Sequence, residues 1–123
     1  LSGDWVRGDN LAADVPLTFI PPARLLYGVR LDAEEWGWGV RTPYLTVHAE
    51  SNARQGRLDP RDYGPPGYTT ANIGFGFARL TRRGPATLDV TVRNALDAHY
   101  RSFMSRYKAF ALAPGQTVVV RVT

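Results

Sequence analysis

The sequence predicts an all-β fold: an antiparallel up-and-down meander of about six strands, which pattern alone leaves open between an ordinary sandwich and an excerpt of a large transmembrane β-barrel that, as an isolated fragment, could curl into a small barrel or sandwich. Three observations carry this expectation. Apolar residues alternate with small or polar ones in segment after segment, no stretch repeats its apolar residues at helical spacing, and the connections between segments alternate between short and long.

A period of two marks a strand because successive side chains leave a pleated backbone on opposite sides. Taken in order, Leu1 to Arg7 reads as a short first strand. Ala23 to Leu31 places Leu25, Tyr27, Val29 and Leu31 on one face and Arg24, Leu26, Gly28 and Arg30 on the other. Thr42 to Ser51 sets Leu45, Val47 and Ala49 against Tyr44, Thr46, His48 and Glu50. Tyr68 to Leu80 is the clearest, with Ala71, Ile73, Phe75 and Phe77 opposite Asn72, Gly74, Gly76 and Ala78. Ala86 to Asn94 sets Leu88, Val90 and Val92 against Asp89, Thr91 and Arg93, and Gln116 to Thr123 aligns Val118, Val120 and Val122. Ile73, Phe75, Phe77, Leu88, Val90 and Val92 are expected to share one face of the sheet.

Asp32 to Trp38 and Thr81 to Pro85 are turn-like, whereas Gly8 to Pro22, Asn52 to Pro66 and Ala95 to Gly115 are long. In a meander, alternate connections fall at alternate ends, so the long loops gather at one end, as in transmembrane barrels. Arg24, Arg30, Asp89 and Arg93 on the less apolar faces suit a wet lumen. Trp36 and Trp38 by one turn, and Tyr63 and Tyr68 by a long loop, stand where an interfacial aromatic girdle would put them.

At 123 residues, one unit spanning 1–123 is expected. With 44% hydrophobic and 21% charged residues the chain lies outside the composition of disorder. The absence of cysteine excludes disulfide frameworks, thiolate metal sites and cysteine nucleophiles. The net charge of +4 does not point to nucleic acid, because the arginines are scattered singly or in one pair and Lys108 is the only lysine. No apolar run is long enough for a membrane-spanning helix. A start at Leu1 rather than methionine suggests an excerpt of a longer parent.

Four segments, in order along nearly the whole chain, resemble the C-terminal barrel of TonB-dependent outer-membrane receptors. Asp4-Trp5-Val6-Arg7-Gly8 resembles a strand end of that family, Ile20-Pro21-Pro22-Ala23-Arg24-Leu25 a strand entry, and Gly67-Tyr68-Thr69 a strand start. Asn94-Ala95-Leu96-Asp97-Ala98-His99-Tyr100-Arg101, with Ser105, Lys108 and Pro114-Gly115, resembles the last long loop and the opening of the last strand. Gln116 stands where the family usually has Arg, Ala95 where it has Leu, and Ala109 where related loops often carry Asp. The chain ends at Thr123 rather than at the terminal aromatic usual in the family, so either the parent runs a few residues further or its assembly is unusual.

The resemblance implies an outer-membrane parent with a plug inside a barrel of about 22 strands. That parent would contact outer-membrane lipid, bind TonB through an N-terminal region outside this chain, and import a siderophore, haem, metal or cobalamin-class ligand. No cofactor and no catalytic turnover are expected. Cationic and aromatic loop residues suit anionic or aryl ligands, which singles out Arg57, Asp59, Arg61, Asp62 and Tyr63 in one loop and Arg101, Arg106, Tyr107 and Lys108 in another. The plainer reading of all nine is solvated loop.

His48 and His99 lack the local ligand spacing of a zinc site, and neither Asp59 with Asp62 nor Ser105 with His99 marks an acid/base or nucleophilic pair. The competing class is a soluble secreted or periplasmic β-sandwich binding module with its apolar faces turned inward. An isolated barrel excerpt is expected to self-associate through its unpaired edges.

Overall fold

The computed structural model describes residues 1–123. Its strands are β1 (Ser2–Asp4), β2 (Asp9–Asn10), β3 (Val15–Pro16), β4 (Arg24–Asp32), β5 (Glu35–Trp36), β6 (Val40–Asn52), β7 (Tyr68–Thr81), β8 (Gly84–Arg93) and β9 (Thr117–Val122). The main sheet runs β1-β4-β6-β7-β8-β9, every neighbour antiparallel, with β5 also paired to β6. Strands β2 and β3 form a small hairpin of their own inside the first long loop.

Strand β5 continues β4 after a break at Ala33 and Glu34. Ala33 N–H donates to Pro43 O at 3.0 Å and Thr42 N–H to Glu34 O at 2.9 Å, so the two run as one lane beside β6. Opposite the break the register of β6 slips between Arg41 and Tyr44, and Thr42 takes a φ of 46°. This is a bulge, which bends the strand where proline offers no donor to the ladder. Six lanes in chain order make an up-and-down meander.

Register converts the alternation into two continuous faces. Val29, Val47, Ile73, Val92 and Val118 lie side by side across five strands, and Leu31, Leu45, Phe75, Val90 and Val120 form the next parallel row. On the reverse face, Asp32, Tyr44, Gly76, Asp89 and Arg121 form a row of their own. The short connections meet at one end and the three long loops at the other.

The first strand is shorter than expected. Pairing stops at Asp4 opposite Arg24, because the partner strand only begins there, after Pro22 and Ala23. Trp5 to Arg7 therefore belongs to the loop.

The sheet is a single open layer not closed into a barrel, so the meander is as expected and the curling open to an isolated fragment is not seen. Closure would need β1 to pair with β9, but β1 offers three residues against the six of β9. A sandwich would need a second sheet, and outside this meander there is only the β2–β3 hairpin. Consequently 8 of 123 residues are buried, Phe103 is the one large apolar side chain among them, and Phe75 and Val120 are 42% and 60% exposed.

Candidate functional site

The long-loop end is where side chains of different segments converge. Asn94, at the end of β8, turns the chain with a φ of 48°, a conformation Asn tolerates better than most residues. Its side-chain amide donates to Ala98 O at 3.0 Å and to Pro114 O at 3.4 Å, while its Oδ1 accepts from Ala98 N–H at 2.9 Å. Asp97 Oδ1 accepts from Gln116 N–H at 3.0 Å. Asn94 and Asp97 thereby hold both the start and the finish of a loop of some twenty residues. Tyr100 in this loop stacks on Tyr68 at the start of β7, ring centroids 4.1 Å apart.

Lys108 draws all three loops together. Its side chain is 6% exposed and its ammonium lies 2.6 Å from Asp62 Oδ1, on a carboxylate that is 12% exposed. The same nitrogen sits 3.8 Å from the ring centroid of Phe103 and 4.6 Å from that of Phe19. One cation thus touches the first loop through Phe19, the second through Asp62 and its own through Phe103. The contact to Asp62 is a charge pair without hydrogen-bond alignment: Lys108 Nζ and Asp62 Oδ2 are buried with no hydrogen-bond partner. Proximity and two ring faces hold the ammonium, rather than directed bonds.

A second link crosses from the first loop to the second. Asp9 pairs with Arg7 at 3.2 Å and with Arg57. Partial desolvation would raise the Asp9 carboxyl, but the hydrogen bonds and charges of Arg7 and Arg57 outweigh it and hold the group below its ordinary value. Gln55 Nε2 adds a bond to Ile20 O at 2.8 Å.

The nine candidate residues therefore separate. Asp62 and Lys108 are turned into the cluster and bind each other, Arg57 is committed to Asp9, and Asp59 accepts from Arg61 N–H at 2.9 Å to shape its own turn. Arg101 is half-buried. Arg61 and Arg106 are exposed, as are Tyr63 at 43% and Tyr107 at 70%. These four keep guanidinium and phenol groups open to an anionic or aryl ligand. Sequence reasoning missed Phe19, Phe103 and Asp9. Only the lone lysine in an arginine-rich chain hinted at a special environment.

Below the loops, the polar face is also organised. Arg24 Nη2 pairs with Asp4 at 2.8 Å across β1 and β4, beside a cavity of about 330 Å³ that Glu50, Asn52, Tyr68 and Ser102 help to line. Farther along, Tyr44 lies over Gly76 and its hydroxyl donates to Asp89 Oδ1 at 2.6 Å, with Arg30 stacked 4.5 Å from its ring. A Cβ on Gly76 would come within 2.6 Å of Tyr44 Cε1 and 2.7 Å of Leu88 O, so this crossing needs glycine. Trp36 and Trp38, 75% and 96% exposed, flank an apolar groove with Phe75 and Phe77 at the short-turn end. No protein-family model, curated protein or solved structure matches the chain.

Proposed function

We propose that the chain is a section of wall, with three outer loops, of an outer-membrane active transporter of the TonB-dependent type. Such a parent binds a scarce ligand of the siderophore, haem, metal or cobalamin class and draws it inward with energy relayed by TonB. This section contributes wall and ligand-facing loops and has no turnover of its own.

One observation carries the reading: a single-layer meander with a continuous apolar face left open and a charged, hydrogen-bonded face on the reverse. Each large apolar side chain left in water forgoes about 1.5–3 kcal/mol, and rows of them would outweigh a domain's usual net stability. Lipid against that face and neighbouring wall strands on both edges remove the difficulty together. Strands β4, β6, β7 and β8, at 9, 13, 14 and 10 residues, have the length that a tilted strand needs to cross a bilayer, about nine to eleven residues or more.

The receptor-like segments also support the reading, since they meet at one end. Asp4 pairs with Arg24, Tyr68 stacks on Tyr100, and Asn94 reaches Pro114. A secreted or periplasmic sandwich module would hide its apolar rows beneath a second sheet, and within these residues the only other sheet is the two-stranded β2–β3 hairpin.

The test is ligand uptake by a strain lacking the parent gene and any redundant receptor. Uptake of one metal chelate, haem or cobalamin should fall to background. Unchanged uptake across all of them sinks the proposal.

A further inference from the structure

We infer that the short-turn end of the apolar face binds an anionic phospholipid, with an acyl chain in the groove between Trp36, Trp38 and Phe75 and the headgroup phosphate on Arg79, Arg82 and Arg83. The site rests on the wall reading proposed above and adds a lipid chemistry at one rim of that wall.

Register sets the cation and the groove on one surface. Trp36, Val40, Arg79 and Ala86 form a row across β5, β6, β7 and β8. Arg79 follows Ile73, Phe75 and Phe77 at even steps along β7, so its side chain leaves the sheet on the apolar side, where it is exposed. A guanidinium is costly against hydrocarbon, and this one stands close to the turn, at the level where tryptophans and headgroups meet. Val40, beside Arg79, also lines the groove, which encloses about 820 Å³ between Leu31, Trp36, Trp38, Leu45, Phe75 and Phe77. Arg82 and Arg83 form the tip of the β7–β8 hairpin, next to the tip that carries Trp38. Thr81 fastens that turn, its hydroxyl donating to Gly84 O at 2.7 Å.

The three arginines have no counter-charge in the chain. None approaches a carboxylate within salt-bridge distance, and no Asp or Glu occurs from Tyr63 to Leu88. The carboxylates at this end belong to the reverse face: Asp32 and Asp89 share one row there, Glu35 lies opposite Arg41 in another, and Glu34 lines a cavity with Asp89. Asp32 also reaches the rim of the groove, but it is bonded to Arg30 at 2.7 Å. An anion with a long apolar tail fills both halves of the site. Free phosphate would leave the groove wet, and a lipid of zero net charge brings a phosphate already matched by its own cation.

Tryptophan quenching by brominated acyl chains reads the site. The chain has three tryptophans, so Trp5→Phe leaves only Trp36 and Trp38 to report. The full chain with that substitution, in maltoside micelles, is titrated with brominated phosphatidylglycerol or brominated phosphatidylcholine. Phosphatidylglycerol should quench at a several-fold lower mole fraction, and added salt should narrow the gap. Arg79→Gln should raise the phosphatidylglycerol midpoint about five-fold, the worth of one basic residue beside an anionic lipid. Arg82→Gln with Arg83→Gln should raise it further, and the triple variant should treat the two lipids alike. Millimolar inorganic phosphate should leave the lipid in place. Equal quenching by both lipids in the parent chain, a preference unchanged in the triple variant, or release by phosphate overturns the inference while keeping the apolar face against lipid. Absence of quenching by either lipid removes the wall reading as well. Arg82 and Arg83 lie outside the strand ladder, so their variant decides the matter even where Arg79→Gln loses its strand signal in circular dichroism.

Discussion

Lys108 and Asp62 share a site with almost no water, where either charge alone would be costly. Breaking a buried pair by removing one partner costs about 3–5 kcal/mol, whereas replacing both with apolar residues of similar size is often neutral. Lys108→Met is therefore expected to lower the midpoint of denaturant unfolding and to expose residues 53–67 to protease. The double variant with Asp62→Leu should recover most of the loss. Equal damage from both would mean that the pair itself stabilises the loops. Asp9 behaves differently because its pair is exposed. Its carboxyl titrates below the ordinary 3.8, so its link to Arg7 and Arg57 is fully present above 3.8 and is released as pH falls through the lower, folded value. An NMR titration of the Asp9 carboxyl should place its midpoint below 3.8 and move it upward in Arg57→Gln.

Among the elements, the strands were legible and the loops were not. The residues assigned to each face of the long strands are those that the register puts there, and their boundaries differ by two residues or fewer. Period-two patterning is a local property of covalent geometry and needs no knowledge of partners. The last long loop is different, because Asn94 acts at a distance: its contacts with Ala98 and Pro114 close a segment that has no period. Asn94→Ala loses those bonds and also places an ordinary side chain at positive φ, where an L residue pays about 1–2 kcal/mol. Asn94→Gly loses only the bonds. The alanine variant should thus be the less stable of the two by about 1 kcal/mol in thermal or denaturant unfolding. The reverse order would place the role of Asn94 elsewhere.

For the whole molecule, what matters is which face meets which medium. Val90 and Thr91 are neighbours in β8 and point to opposite faces, Val90 between Phe75 and Val120, Thr91 between Gly74 and Val119. If the apolar face lies against lipid, Val90→Arg should cost about 2–4 kcal/mol near mid-bilayer, and Thr91→Arg on the lumen side much less. Folding into vesicles at graded urea, followed by tryptophan fluorescence, measures both. Equal costs would place both residues in one environment and remove the membrane reading. In aqueous buffer without detergent, the chain is expected to aggregate or associate, because its open sheet hides none of its apolar rows.

The order of the residues alone determined the five longer strands, β4 and β6 to β9, their two faces and the end at which the long loops gather, since each follows from alternation and from the reversal of direction at every turn. The tertiary structure decided what alternation does not encode. It paired Lys108 with Asp62 and Arg57 with Asp9, turning three residues that read as ligand contacts into loop fastenings together with their counter-charge. It also left the sheet open rather than closed. Both outcomes depend on which aperiodic segments meet in space and on whether two edges of unequal length can close, and neither is a property of any one segment's sequence.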